Sequence, residues 1–252
     1  MLTATLFVFE IAAETSLRDP NATVLIIMRW VHLVAGIIWI GLLYFFNLVN
    51  VPLMRALDQE TRNRVLPPLL SRALWWFRWS AVVTVLAGIA YWMNIVAADA
   101  ENAQNSSWHA IWTFFVIWTL AFAIENALVM PLKGPLNNVA VLVLLTFGVV
   151  AVAAYLFLTQ NNHGWESNRL LCIGIGGGIG WLLLLNVWGI VWRANKRLIL
   201  WTQENMQHGT PIPERAQRLA RQGFLVSRIS AWLSLPLLFF MGASSHYPFL
   251  GR

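Results

Sequence analysis

The chain has 252 residues, 58% of them apolar and only 11% charged, with a formal net charge of +6 and one cysteine. A soluble domain carries roughly 25% charged residues, so this chain lacks the charge to coat a water-facing surface. Cys172 alone excludes a disulfide framework and a cysteine-rich zinc site, and charges gathered between long apolar runs point away from nucleic acid and toward lipid.

In chain order, Met1–Ala13 is apolar but too short to span a membrane and carries Glu10. It lacks the basic start of a signal peptide and is expected to stay uncleaved at the interface. A bilayer core about 30 Å thick takes about 20 helical residues. Six stretches reach that length: Thr23–Val49, Arg72–Val96, Trp108–Met130, Asn137–Leu158, Arg169–Trp192 and Gln222–Ala243. Pro52 follows the first, Pro67 and Pro68 precede the second, and Pro131 and Pro135 bracket the turn between the third and fourth. Two connections, Met54–Ser71 and Arg193–Arg221, mix Arg with Leu, Ile or Val at helical spacing. They read as short amphipathic helices at the headgroups, with an ordinary solvated loop as the alternative. No repeat or soluble domain interrupts the pattern. The expected fold is all-α: a polytopic membrane helical bundle of six transmembrane helices plus short interfacial helices, one integral membrane domain over residues 1–252.

Lys and Arg set the expected orientation. Arg55, Arg62, Arg64, Lys133, Arg193, Lys196, Arg197, Arg215, Arg218 and Arg221 fall on one side. The other side has Arg18, Arg169 and Arg252. The basic side is predicted to be cytoplasmic and both termini periplasmic, in a bacterial inner membrane.

Polar residues within the spans are costly and therefore informative. Arg78 and Glu125 lie at matching depths on the second and third spans and are expected to form a structural ion pair, with a proton or substrate pathway as the functional alternative. His32, His109 and His246 fall toward the outer side of spans one, three and six. Imidazoles on facing helices can ligate a haem iron, so these three are the candidate cofactor ligands should a haem be present. An interfacial hydrogen bond for His109 and a hydrated cap for His246 are the simpler alternatives. Gly174, Gly176, Gly177, Gly178 and Gly180 crowd span five. Such residues let a neighbouring backbone, or a flat cofactor, approach closely; helix packing is the expected role. The fifteen tryptophans, among them Trp75, Trp76, Trp79, Trp188, Trp192 and Trp201, fit an aromatic belt. No paired catalytic carboxylates, Ser-His-Asp set or HExxH motif is seen, so there is no candidate catalytic residue.

Three stretches carry a resemblance. The run Arg29–Asn47, with Arg29-Trp30-Val31-His32 and Gly36-Ile37-Ile38-Trp39-Ile40-Gly41, resembles the first-helix signature of the urate oxidase N-terminal domain family, the membrane domain of bacterial membrane urate hydroxylases. Asn186-Val187-Trp188 with Asn195-Lys196-Arg197 is similar to that family's Asn-Val-Trp stretch, and Ser234-Leu235-Pro236 closing on His246-Tyr247-Pro248 to its last helix. In the family a cytochrome c domain follows the last helix, which implies a periplasmic C-terminus and an oxidative, electron-transferring role. These 252 residues hold no Cys-x-x-Cys-His, so covalent c-type haem has no attachment site in them. The resemblance also implies histidines at two positions that here are Gly174 and Ile229.

Two readings follow. In the first, the protein is a non-catalytic accessory subunit, packed against lipid and other membrane subunits of an electron-transfer complex. In the second, it is a urate-hydroxylase-type redox enzyme with haem b between helices, passing electrons to a separate c-type cytochrome. A transporter using Arg78 and Glu125 as a relay is a third, without inverted repeats to support it.

Overall fold

The computed structural model describes residues 20–131 and 134–251; the expected interfacial segment Met1–Ala13, Arg18, Lys133 and Arg252 lie outside them. Helix α1 is Pro20–Tyr44, continued through a π-helical turn Phe45–Asn50 into α2, Val51–Ala56. Then come α3 Gln59–Asn102, α4 Trp108–Val129, α5 Val139–Asn161, α6 Asn168–Asn186, a second π turn Val187–Val191, α7 Trp192–His208 and α8 Arg215–Ala243. No strand occurs among the described residues. Six helical stretches are long and apolar enough to cross a membrane, as the hydropathy pattern predicts.

The ends of these helices differ from the expectation. The predicted interfacial pieces are helical but not separate: α3 runs unbroken for 44 residues, and α6, the π turn and α7 form one rod from Asn168 to His208. Pro67 and Pro68 lie inside α3 instead of preceding it. A proline removes one N–H and frees the carbonyl four residues earlier. Those carbonyls belong to Asn63 and Arg64, whose side chains are half-exposed and exposed, so the freed groups lie on an accessible turn. The Asp58 carboxylate caps the start of α3, accepting from the Thr61 amide at 3.0 Å.

Burial identifies the centre. In the most apolar stretch of the α6 rod 78% of residues are buried, against at most 39% in any other span. Helices α3, α4, α5 and α8 pack around α6, and α1 leans on α3 and α8. The glycines explain the close fit. A Cβ at Gly178 would lie 1.9 Å from Trp118, one at Gly174 2.3 Å from the Phe157 ring, and one at Gly176 3.1 Å from Phe240. Packing is therefore the role of these three. Trp92, 1% exposed, stacks on Phe114 with centroids 4.7 Å apart and donates from Nε1 to the Leu170 carbonyl at 3.0 Å, fastening α3 to the start of α6. Outward-facing Trp112, Leu144 and Phe239 are exposed, as lipid-facing side chains are.

The arginines cluster at one end of the bundle and His246 marks the other. At the arginine-rich end, Arg218 donates to the Met130 carbonyl at 3.0 Å, and Arg221 to the Asn137 carbonyl and side chain at 2.6 and 2.9 Å. Cations at the C-terminal end of α4 meet the negative pole of its dipole.

Candidate functional site

Helix α1 stands off α6, and the space between them is a cavity of about 740 Å³, well within the size range of cofactor sites. Its walls come from α1, α3, α6 and α8 with Phe114 of α4, and its lining includes the exposed Trp30, Leu33 and Ile37 on the α1 side. Gly177 and Gly180, the two glycines of the α6 series that are not crowded, line it. A Cβ at either would meet its nearest neighbour at 3.8 and 3.6 Å. The glycine series thus divides by face: Gly174, Gly176 and Gly178 receive neighbouring side chains, while Gly177 and Gly180 leave a smooth wall.

His32 and His246 both line this cavity. The His32 Nδ1 lies 2.7 Å from the Thr84 carbonyl and the His246 Nδ1 lies 3.0 Å from the Gly242 carbonyl. A carbonyl oxygen only accepts, so Nδ1 carries the proton in each ring and the lone pair is left on Nε2. That is the tautomer a metal-ligating imidazole needs, with a carbonyl fixing ring orientation from behind. Neither Nε2 makes a hydrogen bond to a described residue. Gly88 makes room for the His32 ring, since a Cβ there would sit 2.7 Å from Nδ1. His109 is elsewhere. Its Nε2 donates to the Gln160 carbonyl at 2.9 Å and its ring centroid is 6.4 Å from that of His163, away from the cavity. Of the three candidate histidines, two line the cavity.

The cavity tests well for a haem. Trp39, 2% exposed, lines it with an indole N–H that has no partner, and His32 and His246 are the residues whose free Nε2 atoms would hold the iron. Six glycines and the aromatic rings of Trp30, Tyr44, Tyr91, Trp92 and Phe114 suit a flat apolar group. Arg29, its guanidinium 5.6 Å from the Tyr91 ring centre, lines the cavity and would supply a cation to the carboxylates of such a group. A polar pocket of about 490 Å³ adjoins the cavity, sharing Tyr91, Ser244, Ser245 and His246. No group of three or more His, Cys, Asp or Glu able to hold a bare metal ion occurs among the described residues.

The expected Arg78–Glu125 ion pair does not form. The Arg78 guanidinium lies 3.9 Å from the Trp192 ring centre, flanked by Trp79 and Trp188. Glu125, fully buried, accepts instead from the Asn186 amide, whose Nδ2 is 3.0 and 3.1 Å from its two oxygens. Helix rotation, which hydropathy does not set, turned Arg78 toward α7 and Glu125 toward α6. Cation–π contact worth about 0.5–2 kcal/mol offsets part of the cost of the embedded guanidinium. The sequence reading quoted Asn186 for its motif but missed it as Glu125's partner. It also missed Thr84, Tyr44, Ser230 and Ser234, which only the fold brings to these residues.

The two positions at which the resemblance implied histidines are closed. Phe157 fills the space beside Gly174, and Ile229 is 1% exposed in the core.

Comparison with known proteins covers two of the three resembling stretches, Asn186–Arg197 and Ser234–Pro248; Arg29–Asn47 lies outside the matched residues. No curated protein and no solved structure matches the chain. The family model described as urate oxidase N-terminal matches residues 57–251, most of the chain, and the protein belongs to that family of membrane urate-hydroxylase-related domains.

Proposed function

We propose that the protein is an accessory electron-transfer subunit of a membrane complex, holding one b-type haem in the cavity between α1, α3, α6 and α8. The observation that carries the reading is the pair His32 and His246: two imidazoles on one cavity, each anchored through Nδ1 to a backbone carbonyl with Nε2 free. When bound, a haem supplies reversible one-electron chemistry. The chain's own residues do the rest. Thr84 and Gly242 orient the ligands, Trp39 offers an N–H, Arg29 offers a counter-charge, and the apolar walls exclude water. The His246 end, predicted to be periplasmic, is where a c-type cytochrome would exchange electrons. The arginine-rich end is assigned to the cytoplasm of a bacterial cell, its inner membrane holding the six spans.

The accessory role, as against substrate oxidation, is supported by the closed surroundings of Gly174 and Ile229. Residues that cannot ligate metal or carry protons stand where the resemblance implied histidines, with no spare volume beside Gly174. The enzyme reading keeps one supporting observation, the polar pocket of about 490 Å³ next to His246.

Expression in haem-replete cells, followed by absorption spectra of purified variants, tests the assignment. His32→Ala and His246→Ala are each expected to abolish or convert the spectrum of a six-coordinate haem, whereas His109→Ala leaves it intact. A spectrum insensitive to both cavity histidines would contradict the proposal.

A further inference from the structure

Below the cavity, toward the arginine-rich end, runs a line of buried polar groups that haem binding does not use. Tyr44 lines the cavity and its hydroxyl lies 2.9 Å from the Ser234 Oγ. Ser234 spends its own proton on the Ala231 carbonyl at 2.7 Å, so Tyr44 is the donor. One turn along the same face of α8 is Ser230, 3% exposed, whose Oγ is 3.5 Å from the Asn186 Nδ2. Asn186 in turn meets Glu125. Ser234, Asn186 and Glu125 are all fully buried.

Glu125 has no cationic partner. Among the described residues no Lys, Arg or His nitrogen lies within 4 Å of its carboxyl; the ion contacts found are Arg64–Glu60 and His163–Glu166. The charges on the packed elements are engaged elsewhere. On α8, Arg221 holds Asn137 and Arg228 lies over the Phe224 ring. Arg78 of α3 is on Trp192. On α6, Arg169 and Cys172 are near the opposite end, and α5 contributes only the exposed Tyr155.

The Asn186 amide shows an imbalance. With Nδ2 turned to both carboxylate oxygens, its Oδ1 is buried without a partner, a cost of about 1–3 kcal/mol. One proton on Glu125 removes it. With the amide edge turned to the carboxylic acid, the O–H donates to Oδ1 while Nδ2 donates to the other oxygen, and both residues are satisfied. Glu125 and Asn186 thus have two self-consistent arrangements differing by a single proton.

We propose that Glu125 takes up a proton when the cavity group is reduced, with the hydroxyls of Tyr44, Ser234 and Ser230 marking the path from the cavity and the Asn186 amide holding the carboxyl at its end. The inference rests on the haem reading. Reduction brings one electron from an external one-electron donor to the cavity group and one proton from bulk water, by way of the Tyr44 end of the path, onto a Glu125 oxygen. Oxidation returns the electron to a one-electron acceptor of the c-type cytochrome class, and the proton leaves. Ser234 and Ser230 are one helical turn apart on the same face of α8, which makes them neighbours along the path.

The test is reduced-minus-oxidised infrared spectroscopy with a redox titration against pH, on the purified full chain and using dithionite as donor. Reduction is expected to raise a carboxylic C=O band that shifts in heavy water and is missing in Glu125→Gln. The wild-type reduction equilibrium should change by up to tenfold per pH unit, and that slope should flatten in Glu125→Gln. Ser234→Ala keeps the band and the slope but slows proton uptake several-fold, and it tests the relay even if Glu125→Gln does not fold. A haem whose pH slope and carboxylic band are unchanged in Glu125→Gln, or whose uptake rate is unchanged in Ser234→Ala, overturns this inference alone. A preparation with no redox group overturns the cavity reading and this inference with it.

Discussion

At the scale of single residues, the glycines of α6 show one residue type doing two jobs. Gly178 is occupied territory: the Trp118 ring lies where a Cβ would go. Gly178→Ala must displace a fully buried tryptophan and is expected to destabilise the bundle by about 1–3 kcal/mol, read as a lower melting temperature in detergent. Gly177→Ala meets nothing closer than 3.8 Å and should melt as the wild type does. Equal losses at both positions would contradict the division by face. The sequence makes the glycine cluster visible but not this division, because the neighbours that distinguish Gly177 from Gly178 arrive from α4 and α8. The histidines carry the same lesson. Residue type alone nominated His32, His109 and His246, yet which two share a cavity depends on helix rotation. His109 points toward Gln160, which no spacing along one helix could reveal.

At the scale of elements, hydropathy finds the six spans because each must bury its backbone in lipid through internal hydrogen bonds. It misplaces their ends because a helix does not stop where lipid stops. Helix α3 begins at Gln59, beyond two prolines and several charges, because Asp58 caps it and the freed carbonyls are on accessible turns. Hydrogen bonds from the Thr61 hydroxyl and then its amide hold the Asp58 carboxyl below the ordinary carboxylate range. A lowered value in the folded state means that the cap contributes at neutral pH and is lost as pH falls through that lowered value. Asp58→Ala should therefore speed amide exchange at Thr61 near neutrality, and acid should erase the difference between the variant and the wild type. An unchanged exchange rate at neutral pH would show that the cap contributes nothing. The two π turns mark the other irregularities. Asn47 in the first bonds the Ser227 hydroxyl at 3.0 Å, and Asn186 immediately precedes the second. Both put a polar side chain into the core, as π turns at functional positions commonly do.

At the scale of the whole molecule, an asymmetric bundle places a cavity near one end and a buried carboxyl toward the other, with arginines gathered beyond the carboxyl. If those arginines face the cytoplasm, a cysteine introduced at Ser245 in a Cys172→Ala background should react with a membrane-impermeant thiol reagent in intact cells. One at Gln217 should react only after lysis, and the reverse pattern would invert the assigned orientation. The account turns most on the group in the cavity. Its most direct test is the visible spectrum of the purified full chain before and after dithionite, with the haem extracted and counted. The account predicts one acid-extractable haem per chain, a Soret band that shifts on reduction, and loss of that band in His32→Ala. A folded, haem-replete preparation without a chromophore would contradict it.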